Sequence, residues 1–587
     1  MASITFATGT VIPSTWLNDV NSVVYNGIFQ ATSLTINGIT LGRGNGNVAT
    51  NTAVGVSALA ANTTGANNTS MGISSLAANT TGGSNTAFGA YALQTPTTAS
   101  HNTAVGVNGL NSTTTGSYNT SVGRDALLSN TTASNNTAVG YQAGYSNTTG
   151  AVDAFGVQVL YANTTGTGNA GFGGAGAAIY SALRLNTTGN NNSAFGIGGL
   201  GQNTTGSFNT ASGYQALYSN TTANNNTAVG YQAGYANTTG TNLTALGYQA
   251  GNYNTTGVDN VAIGVAPLSA SGGVTGNANI GIGTYALGGN TTGSYNVAIG
   301  KQSLVSNTTA SNNTAVGYQA GYTNSATGNS CTFLGYQAGY TSNAIQNTMI
   351  GASAGLLTTG NYNTFLGASA GYNVSTGTKN TIVGRYDGNF GGLDIRTASN
   401  YIVLSDGDGN PRGVFDGSGN FLLRKTTYSD SASVGVYLAY DGGIASTKSE
   451  STSAAITNIV YSTGAGAYRF YVDMGGTVHA TSIVISAISD QRLKENVRDI
   501  DTGLNAIMAL KPRRFDWKEG KGQDKKNAAG FIAQEFGEVF PESLSTSKAG
   551  ADGIEYITMN HEELIPSLVK ALQELKTEFD AYKATHS

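Results

Sequence analysis

Disulfides, membrane spans and charge are what this sequence has least of. One cysteine, Cys331, stands alone among 587 residues, so no intrachain disulfide framework is available. No stretch comes near the roughly 18 continuous apolar residues of a membrane-spanning helix. The opening MASITFATGT lacks the basic region and apolar run of a secretory signal. Only seven prolines are present, and charged residues make up 10% of the chain. Charge is scarcest in the middle, where residues 51–384 carry Arg124, Arg184, Lys301, Lys379, Asp125, Asp153 and Asp259 and no others. A net charge of -4 gives no nucleic-acid footprint, and no nucleic-acid partner is expected. The histidines (His101, His479, His561, His586) are scattered without metal-ligand spacing, so neither a metal nor a cofactor is expected.

What fills the middle instead is glycine, 83 residues in all, arranged with a period. Starting from NTAVG at Asn51, asparagine returns at 51, 68, 85, 102, 119 and 136, a spacing of 17. The matching glycines begin with Gly55, Gly72 and Gly89 and reach Gly384 after an insertion near 174–180; 20 stand in this frame. A repeat of this length signals a solenoid whose units touch mainly their neighbours. Within one unit, NTAVG alternates small and apolar residues as a narrow strand does. YQAG or SAL supplies a second short segment, and NTTG reads as a turn whose Asn and Gly tolerate positive φ. Helical periodicity is missing throughout. Each coil offers few apolar side chains, such as Val54, Ala58 and Leu59, so a chain wound alone would enclose a thin core. Three chains about one axis would bury that face better, which favours a homotrimer. At ~4.8 Å per coil the array would stack to about 95 Å.

NTAVGYQA at Asn136–Ala143 resembles the head repeats of trimeric autotransporter adhesins, which are left-handed parallel β-rolls. The resulting expectation is a mainly β protein: an elongated homotrimeric parallel β-roll or solenoid shaft, followed by a small α+β C-terminal domain ending in a coiled coil. Three parallel rolls and three interwoven chains both remain open. GYQA places Tyr141, Tyr214, Tyr231, Tyr248, Tyr318 and Tyr336 in one column. Such a column packs on itself or offers rings to a host glycan; packing is the simpler reading. Ranks of threonine invite an ice-binding reading. The many Asn-x-Thr triplets match the glycosylation sequon, although here they fall out of the repeat.

Four regions follow from these shifts in pattern. Residues 1–50 form a head, in which Ser14 can cap a helix carrying Trp16, Val20, Val23 and Val24 on one side. Its GTVIPSTWLNDVN resembles the start of podovirus-type tail fibres, which implies attachment to a phage tail or baseplate protein. Residues 51–384 are the shaft. Residues 385–488 read as a β-rich stalk, with hairpin turns at Asp-Gly and Gly-Asn pairs. DGDGN lacks the spacing and terminal Glu of an EF-hand loop. Residues 489–587 regain charge, with 14 basic and 17 acidic side chains. There Ile565, Leu568, Leu572, Leu575, Phe579 and Tyr582 alternate spacings of three and four, a heptad seam for a short coiled coil whose strand number the seam does not fix.

SDQRLKEN at Ser489–Asn496, GFIAQE at Gly530–Glu535 and the closing IPSLVKALQELK together resemble the endosialidase-type intramolecular chaperone domain. The resemblance implies a trimeric folding clamp that cuts itself off. Its serine–lysine dyad maps onto Ser489 and Lys494, and its scissile bond onto Ile488–Ser489. Chemically, a serine hydroxyl needs a base to become a nucleophile, and a lysine serves only when its pKa is lowered. The spacing of five residues permits contact but does not establish it. The sequence thus reads as a trimeric phage tail fibre, assembled in the host cytoplasm, placed on the virion and meeting a host surface glycan or protein receptor. A bacterial trimeric adhesin is the alternative, disfavoured because neither signal nor outer-membrane anchor is evident. A tail-spike enzyme acting on host polysaccharide would need paired carboxylates in a groove, and the shaft holds three acidic residues.

Overall fold

The computed structural model describes residues 33–36, 39–174, 180–423, 435–438, 444–447, 456–462, 467–473, 478–480, 494–518, 526–546, 556–561 and 564–586. The head segment with Ser14 and Trp16 lies outside them. The chain divides into two compact units, Met1–Thr447 and Lys448–Ser587.

In the first unit, a strand of three or four residues recurs once per repeat, from β3 (Thr52–Val54) to β22 (Thr381–Val383). Each pairs in parallel with its successor, as in Thr103↔Thr120, Ala104↔Ser121 and Val105↔Val122. The hydrogen-bonding partner is always the next coil of the same chain, so the array is a roll wound by one chain and not an interwoven braid. This β-solenoid of about 17 residues per turn is the expected fold class, but its interior differs from the expected one. The middle residue of each strand points inward and is buried, as at Ala53, Ala104, Ala138 and Ala228. Opposite it sit Ala-Leu pairs such as Ala58–Leu59 and Ala126–Leu127. Val54, read above as core, lies outside, because a two-residue alternation puts the third residue of the strand on the face away from the second. One chain therefore closes a continuous core, and thinness of core is not a reason for oligomerisation.

Two backbone features make so tight a coil possible. The residue after each strand is a glycine at the bend. Gly89, with φ +143°, is typical, and a Cβ there would lie 2.5 Å from the carbonyl oxygen of Gly106 in the next coil. That approach is why the glycine frame is so regular. The second feature is a left-handed residue that turns the chain back, and in most coils this is a buried leucine, such as Leu110 at φ +50°. Leucine accepts this uncommon conformation because its side chain fills the core. Where the repeat reads YQAG or ASAG, glycine takes the same position, and the missing volume is made up by a neighbour. Gly339 faces the Phe333 ring, Gly355 faces Met349, and Gly371 faces Phe365. All three large side chains are fully buried at the strand position that elsewhere holds alanine.

The asparagines were expected in turns; the structure buries them. Asn119 shows the pattern. Its backbone N–H and its side-chain amide both donate to Oδ1 of Asn102, at 2.9 and 3.0 Å, and the amide also donates to the Ala133 carbonyl at 2.9 Å. Its own Oδ1 accepts from the N–H and the amide of Asn136, both at 2.9 Å. A second ladder runs through the NTTG asparagines, as in Asn203→Asn186 at 2.7 Å and Asn220→Asn203 at 2.8 Å. Buried amides are stable here because most are satisfied from the coils beside them; Asn79 Oδ1, Asn307 Oδ1, Asn313 Nδ2 and Asn324 Oδ1 are the ladder atoms left without a partner among the described residues. NTTG does bend the chain, but the positive φ expected of its Asn and Gly falls on other residues, such as Asn67 and Asn135, one position before the ladder. Asn119→Ala would take away the acceptor shared by the Asn136 N–H and amide, while the Ala133 carbonyl keeps the Asn130 amide at 3.1 Å; the cost is about 3 kcal/mol. Hydrogen exchange at the Asn136 amide should accelerate by roughly a hundredfold; an unchanged rate would show that the rung adds little.

Both ends of the ladder turn antiparallel. The hairpin β1 (Ser33–Ile36) and β2 (Ile39–Gly42) lays β2 antiparallel against β3. At the far end, after the short pair β23 (Asn389–Phe390) and β24 (Leu393–Asp394), β25 (Ile402–Ser405) adds one more parallel rung to β22. The chain then reverses into β26 (Pro411–Phe415) and β27 (Phe421–Leu423). The DGDGN stretch is the hairpin turn between β25 and β26. There Asp406 accepts from the backbone N–H groups of Asp408 and Asn410 and pairs with Arg412. Partial burial pushes the Asp406 carboxyl upward, but these hydrogen bonds outweigh it and hold the pKa at about 2.

In the second unit, strands at Arg513–Phe515 and Ala528–Gly530 pair antiparallel, as do those at Leu544–Thr546 and Ile557–Met559. Its helices are α1 (Leu504–Ala509), α2 (Ala533–Gly537) and α3 (Leu564–His586). Pro566 sits in the first turn of α3, where a missing N–H costs nothing. Among the described residues, no helix is long and apolar enough to cross a membrane.

Candidate functional site

The C-terminal motifs of the sequence turn out to occupy corners of a small framework. GFIAQE runs from the end of one strand into α2, which brings Glu535 opposite Arg513 on the paired strand. Their contact is two-pronged, with Nε–H and Nη–H donating at 2.8 and 2.9 Å. The Arg513 guanidinium lowers the Glu535 carboxyl below the usual range. Behind this pair, Phe536 and Phe540 are buried, with ring centroids 5.4 Å apart, and Phe531 and His561 close around Phe536.

The stretch after SDQRLKEN is fastened to α3. The hydroxyls of Thr502 and Ser567 are 2.8 Å apart, and the Leu504 N–H donates to Glu574 Oε2 at 2.6 Å. The carboxylate thereby satisfies an N-H at the start of α1, which has no capping side chain of its own. Glu574 is held in turn by Lys570 one helical turn earlier, at 3.5 Å. None of these tying residues was singled out from the sequence; Glu574 reads there as one of several surface charges. Of the expected catalytic pair, Ser489 lies outside the described residues together with Ile488. Lys494 is described and exposed, on a segment without helix or strand that bends at Asn496 and leads to α1.

The heptad seam is on the outside of α3. Ile565, Leu568, Leu572, Leu575, Phe579 and Tyr582 are all exposed, with Leu572 at 69%. The helix turns Ser567 and Ala571 inward instead. Within its own chain, then, α3 packs through small residues and leaves its large apolar ones uncovered. Leu572, Leu575 and Phe579 line an open apolar depression.

Residues 489–545 match the chaperone of endosialidase family. The matched segment begins at the serine of SDQRLKEN and takes in GFIAQE, and α3 follows it in sequence. No match is found among curated proteins or among solved structures. A chaperone segment of this family at the C-terminus and a solenoid of about 20 turns before it fit a tail fibre with a C-terminal chaperone domain. The family also implies that the segment works in trimer assembly.

Along the shaft, the expected tyrosine column exists. Tyr214, Tyr231 and Tyr248 stack at centroid distances of 5.4 and 5.3 Å, and Tyr318 and Tyr336 at 5.4 Å; Tyr141 is exposed in the same column. Stacked rings cover one another, so sugar rings would meet edges and hydroxyls along the ladder and free faces only at its ends. A second column, missed in the sequence, runs through Tyr145–Tyr161, Tyr218–Tyr235 and Tyr322–Tyr340 at 5.0, 5.6 and 4.9 Å. It was legible in GYQAGY as a second tyrosine four residues after the first. The first threonine of NTTG spends its hydroxyl on the next coil, as Thr63 does on the Thr80 carbonyl at 2.9 Å. The sequon asparagines of the ladders are buried, so a glycan could not be carried on them in the folded shaft.

Proposed function

We propose that the chain is a bacteriophage tail fibre that binds the host surface, whose C-terminal domain brings three chains into register and is then released by its own proteolysis. The observation that carries this reading is the chaperone-of-endosialidase segment at 489–545 behind a long solenoid. In the processing step, Lys494 accepts the Ser489 hydroxyl proton and the oxygen attacks the carbonyl carbon of Ile488. The Ile488–Ser489 C–N bond breaks with the proton returned to the new amine, and water hydrolyses the resulting ester. The products are residues 1–488 and a piece beginning at Ser489. Region 1–50 is assigned to the tail or baseplate, 51–384 to the shaft, 385–488 to the stalk and 489–587 to the chaperone. Mass spectrometry of fibres taken from assembled particles tests the reading as a whole. A chain of 1–488 supports it, and an intact chain of 587 residues overturns the processing step.

Receptor contact along the shaft would depend on tyrosine edges and backbone polar groups, because charge there is nearly absent. Whole-cell binding should accordingly change little between low and physiological salt. Binding that collapses over that range would place the contact in the charged region after residue 384.

A further inference from the structure

Twenty strands, β3 to β22, form the regular wall of the shaft, and their last residues follow a rule that the core does not explain. Nineteen of the twenty are large and apolar (Val, Ile, Leu, Phe or Met), the exception being Ser212. None of them is buried. Phe88 is 52% exposed and Leu366 45%. The position just beyond the glycine bend adds a second partly apolar column, including Val56, Ile73, Tyr141 and Tyr231; Arg124 and Lys301 interrupt it. Nothing in a lone coil requires a large apolar side chain at the end of the strand, since the buried middle residue already faces the core.

We infer that this double column is the face by which the shafts of identical chains lie against one another. The inference rests on the trimeric reading above and adds which surface closes the trimer. An uncovered strip of this length exposes on the order of 2,000 Å² of largely apolar surface, well beyond the patches of a few hundred Å² found on monomers and within the range of obligate homo-oligomers. An occupant must match it over its whole length with the same rise per coil and almost no charge. A parallel copy of the same chain has both properties. Its Val, Leu and Phe column meets an equivalent column at the same height, so the apolar surface of both is removed from water together. The GYQA tyrosines belong to the second column of this strip, so the seam between copies covers them, whereas the Tyr218–Tyr235 column belongs to another part of the coil.

Photocrosslinking of the full-length protein tests this. With p-benzoyl-phenylalanine placed at Val229, in the column, irradiation should give bands at two and three chain masses on a denaturing gel. The same group at Thr222, an exposed position of the NTTA segment that stands where other coils have NTTG, should give none. Light scattering of the unmodified protein is measured alongside. If it reports three chains while the Val229 probe gives no chain-to-chain product, or Thr222 crosslinks as well as Val229, the face is misassigned though the trimer stands. If it reports a single chain, the trimeric reading fails and this inference with it. A Val122→Lys, Val139→Lys, Val229→Lys variant should lose shaft thermal stability relative to a matched Thr115→Lys, Thr132→Lys, Thr222→Lys control, and equal melting of the two overturns the assignment.

Discussion

Ser489→Ala protein is expected to stay at its full 59.6 kDa, while the unaltered chain separates into residues 1–488 and a fragment starting at Ser489. The alanine removes the hydroxyl of the residue at which the family match begins. Lys494→Ala should have the same outcome by removing the base, and both variants should fold and associate as the unaltered chain does. Neither needs a cofactor, so a denaturing gel of purified protein without added protease reads the result. Cleavage of the Ser489→Ala protein at the same bond would assign the chemistry to another residue.

The second large effect is expected at α3. Replacing Leu572 and Phe579 with aspartate places charge on a seam that is already exposed in the single chain, so the fold of the domain has little to lose. What the change removes is the apolar contact between copies, and the three-chain species should disappear from light scattering. Thr577→Asp, on the same helix but off the seam, should leave it in place. The reason the loss should be complete lies in the shaft. A roll made of near-identical coils can pair with its neighbours one repeat out of step at almost no penalty, and a non-repeating domain that associates first removes that freedom. A double variant that still scatters as three chains would locate the register signal elsewhere.

How far the sequence could be read depended on whether a property was periodic. The period of 17 located the strands, because an alternation of small and apolar residues in a three-residue strand has one geometric solution. The same period could not tell inside from outside. Val54 and Ala53 are both apolar, and only the direction of winding decides that alanine is enclosed and valine is not. Asparagine misled for a related reason: its commonest role is in turns, and a buried amide ladder needs two neighbouring coils before any rung is satisfied. The exchange of Leu for Gly at the left-handed position, matched by Phe333, Met349 or Phe365, was visible in the letters but had no meaning until the facing positions were known. At the C-terminus the motifs announced a domain, and the heptad spacing placed a helix. The contacts that fasten it, Leu504 to Glu574 and Thr502 to Ser567, join residues 65 or more apart and leave no local trace.

The asparagine ladder also behaves as a scale. Consecutive rungs are usually 17 residues apart, but the links Asn136–Val152, Asn313–Cys331, Asn260–Asn279 and Asn169–Asn192 span 16, 18, 19 and 23 residues while the parallel pairing continues across each. The wall keeps its strand-to-strand register while the number of residues between rungs varies. Length is therefore counted in whole coils, each adding about 4.8 Å. Unequal recombination between such similar repeats would lengthen or shorten the fibre by integral steps, leaving head, stalk and chaperone segment unaltered. Reach toward a surface can in this way evolve separately from what is done at either end.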